Sequence, residues 1–340
     1  MNEVKIILYG IGAMGKLIAK TLLTKKGVRI VGVVDVAEGV IGKDLGEVIG
    51  LEKPLGVIVQ NPDLVTPKLK ADLVIHATTS LLKDTYPQIK RCIEAGMDVI
   101  STCEELSYPY YKHPSLAEAI DALARSRSVT VLGTGINPGY LMDTLPITLT
   151  GPCQVVRRIE VKRVMNSAKR RIPYQHKIGT GLSPEVFKDK LKTGEISGHV
   201  GLQESVAMIA SVLGWKLNCI EETTPEPVVA TAEVETPLGI VKPGQVIGLR
   251  NMARGIRNGV DVIVLEFISY AGAVEEYDAV SIDGEPRIEQ RITGGVHGDI
   301  GTVGMVINAI PKVLKAKPGL VTMKDLPVPS AVTEDVRGYL

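Results

Sequence analysis

Cysteine is scarce and scattered in this chain. There are four, at Cys92, Cys103, Cys153 and Cys219, and no CxxC pair among them. That spacing suits neither zinc nor an iron–sulfur cluster, so the four thiols read as free and buried. The five histidines, His76, His113, His176, His199 and His297, form no HExxH or other local ligand pattern, and no metal is expected. Charge of one sign is lacking too: 39 basic residues against 38 acidic leave a formal +1. A balance of that kind gives no bulk attraction for nucleic acid, so none is expected as a partner. No run of 18 apolar residues occurs, which excludes an obvious membrane helix. The first strand signal opens at Val4, which leaves no room for a signal peptide. Together these absences point to the cytoplasm. No low-complexity segment or internal repeat stands out.

What remains is an ordinary globular composition, 45% hydrophobic and 23% charged, over 340 residues, long enough for two domains. The most informative stretch is Val4 to Asp35. It reads as an apolar run to Tyr9, then Gly10-Ile11-Gly12-Ala13-Met14-Gly15, a helical pattern over Lys16 to Lys26, and a second apolar run, Val28 to Val34. Asp35 closes it, 20 residues beyond Gly15. This is the order of a dinucleotide-binding unit. Gly10 permits the tight turn, Gly12 lets a pyrophosphate approach the backbone, and Gly15 lets helix and strand pack closely. The helix start offers unpaired N–H groups and a positive dipole end. Asp35 can accept from ribose hydroxyls, and its charge opposes a 2′-phosphate, which favours NAD. Lys43, on the following loop, keeps NADP open.

The alternation continues. Strands are expected at 57–59, Ala71 to Ala77, Asp98 to Thr102 and Ser128 to Leu132, with helices over Tyr86 to Ala95 and within Pro109 to Arg127. Pro62 to Lys70 reads as a polar connection. Such a rhythm predicts a parallel sheet whose ligands lie beyond the carboxyl ends of its strands. Ala77, Thr78, Thr79, Cys103 and Asn137 are therefore added to Gly10, Gly12, Ala13, Met14, Gly15 and Asp35 as cofactor contacts. Near Thr150 the pattern changes. Val155 to Val164 reads as a half-solvated strand, Ser183 to Lys192 and His199 to Leu213 as helices, and Val228 to Glu235, Gln245 to Asn251, Val260 to Tyr270 and Tyr277 to Asp283 as strands. An open, mixed sheet with helices follows, hence an α/β fold in which a parallel-sheet nucleotide domain precedes an α+β substrate domain. Expected boundaries are 1–135, 136–300, and a segment 301–340 in which a helix over Gly301 to Leu314 packs back on the first domain.

Catalysis needs acid–base help beside the nicotinamide. Glu104 and Glu105 follow a strand directly, and one of them can face the ligand. Glu104 is taken as the catalytic base. Asn137 and Pro138 lie at the crossing between domains and are assigned to substrate. Arg163 and Asn166 end the first strand of the second domain, where an arginine fork suits a carboxylate. His176 precedes Gly179-Thr180-Gly181-Leu182-Ser183, a second glycine-rich turn that could hold an anion at a helix start. His176, Thr180 and His199 complete the substrate candidates, though His199 and His297 also suit structural roles.

Longer strings then carry a resemblance. HATTS at 76–80, STCEELSYP at 101–109, GTGINPGYLMDTLP at 133–146 and GGVHGDIGTVGMVINAIPKVLKAKPGLVTMKDLP at 294–327 join GIGAMG at 10–15. With them the whole chain resembles the dihydrodipicolinate-reductase-like oxidoreductases, and within them the amine dehydrogenase branch that includes the 2,4-diaminopentanoate dehydrogenases. The resemblance implies a Rossmann domain with an α/β substrate domain, a homodimer, and an acid in the cleft, placed on Glu104. It implies NAD(P)-dependent oxidative deamination of a non-α amine, reversed as reductive amination of a ketone with ammonia. Residues 175–181 keep a glycine–threonine element but lack the His-His pair and DAPSGTA-like string of dihydrodipicolinate reductases, which disfavours that substrate. The basic stretch around Arg163 favours 2,4-diaminopentanoate, deaminated at C4 to 2-amino-4-oxopentanoate. The alternatives are a reductase of a cyclic imine or an aspartate- or homoserine-type dehydrogenase, told apart by the ammonia dependence of ketone reduction, and a non-catalytic dinucleotide-binding redox sensor.

Overall fold

The computed structural model describes residues 3–64 and 70–340. Of the polar connection expected over 62–70, residues 65–69 lie outside the described residues. The chain divides into two compact units, residues 1–140 with 298–340, and residues 141–297.

Elements are numbered in chain order. The first unit holds β1 (Val4–Tyr9), β2 (Val28–Val34), β3 (Val59–Gln60), β4 (Leu73–His76), β5 (Asp98–Ser101), β6 (Thr130–Gly133) and β16 (Gly319–Val321). They form one parallel sheet in the order β16-β6-β5-β4-β1-β2-β3, which reverses direction between β1 and β4. The strands are largely apolar because both faces are covered: every residue of β4 and β6 is buried. The helices are α1 (Ala13–Leu22), α2 (Leu45–Ile49), α3 (Leu82–Glu94), α4 (Pro114–Ser126) and α9 (Gly298–Leu314). Ile89 and Ile93 of α3 and Ile120 of α4 meet Ile7, Val74, Val99 and Val131 of the sheet in one core. On α1, β4, β5 and β6 rests α9, which runs on through Pro311. At the sheet edge, the Leu320 N–H donates to Asp121 Oδ1 (2.9 Å) and its carbonyl accepts from Tyr110 Oη (3.1 Å). Side chains thus close an edge that would otherwise pair with another strand.

The second unit holds β7 (Val155–Asn166), β8 (Cys219–Glu222), β9 (Glu226–Val229), β10 (Val234–Thr236), β11 (Gly239–Val241), β12 (Val246–Arg257), β13 (Val260–Tyr270), β14 (Tyr277–Glu285) and β15 (Ile288–Thr293). Its main sheet runs β15-β14-β7-β13-β12-β8, with β9 also on β12 and a separate β10–β11 hairpin. The β7–β13 pair is parallel and the others antiparallel. Alternating burial along β14 shows one solvated face. The helices are α5 (Thr144–Leu149), α6 (Ile172–Lys177), α7 (Pro184–Thr193) and α8 (Leu202–Val212). A parallel Rossmann-type sheet and a mixed sheet are the fold class expected from sequence.

The helix expected from Tyr86 begins four residues earlier, at Leu82, and two other expected elements change for reasons the backbone shows. The helix predicted from His199 begins at Leu202, because Gly198 (φ +64°) and Gly201 (φ +110°) take left-handed conformations that end any earlier helix. The strand predicted over Val228 to Glu235 breaks at Ala230, whose N–H turns to Gln245 O (2.8 Å) and whose carbonyl accepts from Gly244 N (2.9 Å).

Candidate active site

The glycine turn has two closed positions and one open one. A Cβ at Gly10 (φ +93°) would lie 2.4 Å from Ala77 O, and one at Gly15 would lie 2.1 Å from Gly10 O. A Cβ at Gly12 would meet nothing within 4 Å. Close packing at 10 and 15 with open space at 12 is the shape a pyrophosphate needs against backbone. Gly12 is the N-cap of α1 without a side-chain cap, and no acid sits in the first turn. The N–H groups after it, at Ala13, Met14 and Gly15, could therefore receive an anion with no acid of that turn competing. Asp35 joins this turn to β2. Its Oδ2 accepts from Ile11 N (2.6 Å) and its Oδ1 from Ala37 N (2.8 Å). A carboxylate has about four acceptor sites, so lone pairs remain for ribose hydroxyls.

At the carboxyl ends of β4 and β5 the polar groups interlock. Burial lowers the His76 imidazole to about 4, against the bond to Gln88, so the ring is neutral. Its Nε2 meets Gln88 Oε1 (2.7 Å) and Thr78 Oγ1 (3.1 Å), and its Nδ1 meets Ser101 Oγ (2.8 Å). The pattern assigns the proton to Nε2, with Ser101 donating to Nδ1. Ser101 Oγ also accepts from Cys103 N (3.1 Å). Thr78 is thus held by His76 and Gln88, and Ala77 N is bonded to Tyr9 O (2.8 Å). The Cys103 side chain is corrected from its expected role. It lies in the core, donates to Ser80 O (3.2 Å), and burial pushes its thiol up to about 12. Only its backbone borders the strand end.

Glu104 and Glu105 begin a single 3-10 turn, Glu104–Ser107, directly after β5. Glu105 is 2% exposed. Its Oε2 accepts from Leu82 N (2.7 Å) and His113 Nε2 (2.9 Å), and its Oε1 from Lys112 Nζ (2.6 Å). Burial alone would raise this carboxyl. The bonds from Lys112 and Leu82, with the Lys112 and His113 charges, outweigh it and hold it below the usual carboxylate range. Glu104 is half-buried. A Cβ at Gly133 would fall 2.4 Å from Leu106 C, so only glycine at the end of β6 lets this turn lie so close.

After β6, Ile136 N donates to Thr302 Oγ1 (3.3 Å). Gly139 (φ +124°) would put a Cβ 2.5 Å from both Gly135 N and Gly135 O. This tight loop carries half-buried Asn137 and buried Pro138, joined by a cis peptide.

In the second unit most expected substrate contacts have structural partners. Arg163, 2% exposed, donates to Asp278 Oδ1 (2.8 Å) and Val296 O (2.7 Å), so its fork serves the core rather than a ligand. Asn166 Oδ1 accepts from Ala168 N (3.0 Å) and Gly272 N (3.2 Å), a capping role. The turn at 179–182 has no donor to spare. Its N–H groups go to His176 O, Gln175 O, Val246 O and Gly179 O, and the Thr180 hydroxyl donates to Gln175 Oε1 (3.0 Å). The second anion site expected there is therefore withdrawn, although Ser183 does cap α7 through Val186 N (3.3 Å). His176 is exposed on α6. His199 stacks on Phe267, with centroids 4.2 Å apart. Its burial, then the charges of Lys177, Arg163 and Arg170, lower it to about 3, so it is neutral. Among the described residues no group of three or more His, Cys, Asp or Glu could hold a metal ion. No helix among them is long and apolar enough to cross a membrane.

Sequence reasoning missed His76 as an organiser, Glu105 as a buried anchor, and Gly133. The Lys112-His113 pair, a short reach beyond Glu105, is the signal that could have found that anchor.

An open glycine cradle at the sheet's reversal point, with an acid after β2, defines a dinucleotide-dependent oxidoreductase. Residues 140–340 match the family model described as the 2,4-diaminopentanoate dehydrogenase C-terminal domain, and residues 4–104 that of the dihydrodipicolinate reductase N-terminus. The chain is 38% identical to 2,4-diaminopentanoate dehydrogenase of Acetoanaerobium sticklandii, covering 100% of this chain and 98% of that one. It is 22% identical to an amine dehydrogenase of Streptomyces virginiae, over 97% and 98% of the two chains. The solved amine dehydrogenase of Mycobacterium smegmatis superposes with a TM-score of 0.86 at 26% identity, over 98% of each chain. The chain belongs to the 2,4-diaminopentanoate dehydrogenase family. The amine dehydrogenase class expected from the motifs agrees with these relatives.

Proposed function

We propose that this chain oxidatively deaminates the C4 amine of 2,4-diaminopentanoate to 2-amino-4-oxopentanoate, and runs the reverse reductive amination with ammonia. The balance is ammonium substrate, NAD+ and water going to ketone, ammonium ion, NADH and a proton. Bound nicotinamide supplies the hydride acceptor; the protein's work is positioning and proton transfer. Gly10, Gly12, Ala13, Met14, Gly15 and Asp35 hold the adenosine and pyrophosphate end, and Ala77, Thr78, Thr79 and the Cys103 backbone border the other. NAD is the preferred cofactor, because Asp35 opposes a 2′-phosphate.

The observation that carries the reading is the division of labour between adjacent acids. Glu105 is consumed inside the fold, and half-buried Glu104 is presented after β5, at the carboxyl edge of the sheet that carries the glycine cradle. Glu104 takes a proton from the substrate ammonium, so that the amine lone pair can assist departure of the C4 hydride. Having released that proton, it takes one from the water that attacks the iminium carbon. Asn137 and Pro138 border the substrate.

The test is an NAD+ reduction screen with 2,4-diaminopentanoate, simple amines and α-amino acids, with Glu104→Gln as control. The expected result is turnover on the non-α amine, abolished in the variant with NADH affinity within about twofold of the parent, because removing a positioned base typically costs about 100-fold or more. Turnover confined to α-amino acids would overturn the substrate. Ketone reduction independent of ammonia would favour a cyclic-imine reductase, and an NADH response without turnover a sensor. A cytoplasmic homodimer completes the proposal. The four free cysteines suit a reducing compartment, and sedimentation at micromolar concentration tests the dimer.

A further inference from the structure

We propose that Glu105 is a positioning residue for Glu104, fastening the turn that carries the base to the loop after β4 and setting the charge around it. This rests on the reading of Glu104 as the base. Glu105 draws in three elements. Its carboxylate accepts from Leu82 N at the start of α3, and from Lys112 and His113 in the segment leading into α4. Its own N–H donates to Ser80 O (3.3 Å), which also accepts from Cys103 Sγ (3.2 Å). The turn is pressed from the other side by Gly133 of β6. Glu104 therefore stands between two fastened points, Cys103 and Glu105, one residue to either side.

A buried carboxylate is an expensive fastener unless it is ionised and paired. An amide has one acceptor oxygen in place of two, so it could keep the bond from Leu82 N but not also the one from Lys112, and the turn would be held less firmly. The ionised pair with Lys112 has an electrostatic consequence that an amide lacks. The charge of Glu105 offsets that of Lys112 one residue along the chain from Glu104. The titratable groups around the turn are Cys103 and Glu104 on it, and Lys112 and His113 from the segment before α4; α3 contributes the Leu82 amide and the Thr85 hydroxyl. Without the Glu105 charge, Lys112 loses this counter-charge and ionisation of Glu104 is favoured. Without Lys112, the Glu105 charge is less balanced and Glu104 ionises at higher pH.

The experiment measures kcat against pH for the full chain with NAD+ and 2,4-diaminopentanoate, in Glu105→Gln, Lys112→Met and Glu104→Gln. The acidic limb is expected to move down by about half a pH unit in Glu105→Gln and up by a similar amount in Lys112→Met. A fall in kcat of about tenfold or more should accompany the first, with KM for NAD+ nearly unchanged, since a displaced base costs rate rather than cofactor binding. Lys112 is partly exposed, so Lys112→Met keeps the test available if Glu105→Gln fails to fold. Limbs that stay in place in the variants that fold would overturn the role of Glu105 while leaving Glu104 as the base. Surviving turnover in Glu104→Gln would instead overturn the base itself.

Discussion

Alanine at Gly12 and alanine at Gly15 add the same methyl group to the same turn, and the geometry gives them opposite consequences. At Gly15 the new Cβ would lie 2.1 Å from Gly10 O, more than 1 Å inside a normal contact, and the obstacle is backbone that no rotamer change can move. Relief requires α1 to shift away from the turn. Overpacking of this kind costs about 3 kcal/mol at the upper end of its usual range. In a chain of this size that lowers Tm by roughly 6 °C, at about 2 °C per kcal/mol. The pyrophosphate donors at the start of α1 move with it, so NADH binding weakens too. At Gly12 the added Cβ meets nothing within 4 Å, and φ of −66° suits any residue. The folded protein loses at most about 1 kcal/mol from a poorer N-cap. The methyl instead occupies the space a phosphate needs. Loss of one charge-assisted hydrogen bond is worth about 2 kcal/mol, or roughly 30-fold in Kd. The assays are scanning calorimetry for Tm and NADH fluorescence titration for Kd. Gly12→Ala should lose binding at nearly parental Tm, and Gly15→Ala should lose both. Parental NADH affinity in Gly12→Ala, or parental Tm in Gly15→Ala, would refute the assignment of the turn.

Three further outcomes follow from groups whose partners are now known. Arg163→Ala leaves Asp278 buried without its cation and should cost about 3–5 kcal/mol in urea unfolding; parental stability with only a raised KM would return Arg163 to the substrate. His76 is held at about 4 in the fold against an ordinary 6.5, so its stabilisation is complete above pH 6.5 and is lost as pH falls through 4. The difference is worth about 3 kcal/mol, and His199, lowered to about 3, adds in the same direction. Thermal midpoints from pH 7 to 4 should fall less steeply in His76→Gln, and superimposable slopes would contradict this. Asp35→Ser removes the charge that opposes a 2′-phosphate and should narrow the NADP-to-NAD discrimination by about tenfold, roughly 1.4 kcal/mol. It should also lower NAD affinity, because Ile11 N loses its acceptor. An unchanged ratio of the two Kd values would count against the cofactor preference.

The parallel sheet was legible because its signals are local and repeated. A covered strand reads as a largely apolar run, and β2 falls at the residues its run predicts, as β13 does in the mixed sheet. Elements that draw stability from distant partners were not. The edge strand β16 is three residues long and exists because Gly319 N reaches Val129 O and Asp121 closes its outer side, contacts about two hundred residues apart in the chain. Strand β10 was merged with β9, because apolar character alone does not record where Ala230 turns away. Helix starts shifted wherever glycine conformation decided them. Gly198 and Gly201 are unremarkable letters until their positive φ is known.

In the site the same limit takes a chemical form. Residue type names what a side chain can accept or donate, and only long-range partners say what is left over. Arg163, Asn166 and Thr180 were sound candidates by type. Asp278 and Gly272 lie 115 and 106 residues away, and Gln175 is in α6, five residues before Thr180. Glu104 and Glu105 are the sharper case, since they are adjacent and alike. One difference in direction along a 3-10 turn sends Glu105 to Leu82, Lys112 and His113 and leaves Glu104 half-buried at the strand end. A buried carboxylate is stable only when such partners exist, so satisfaction of Glu105 is a precondition for placing a second acid beside it. On the proposed reading the pair is one device: the inner acid fastens the turn so that the outer one can act on a proton at a fixed distance.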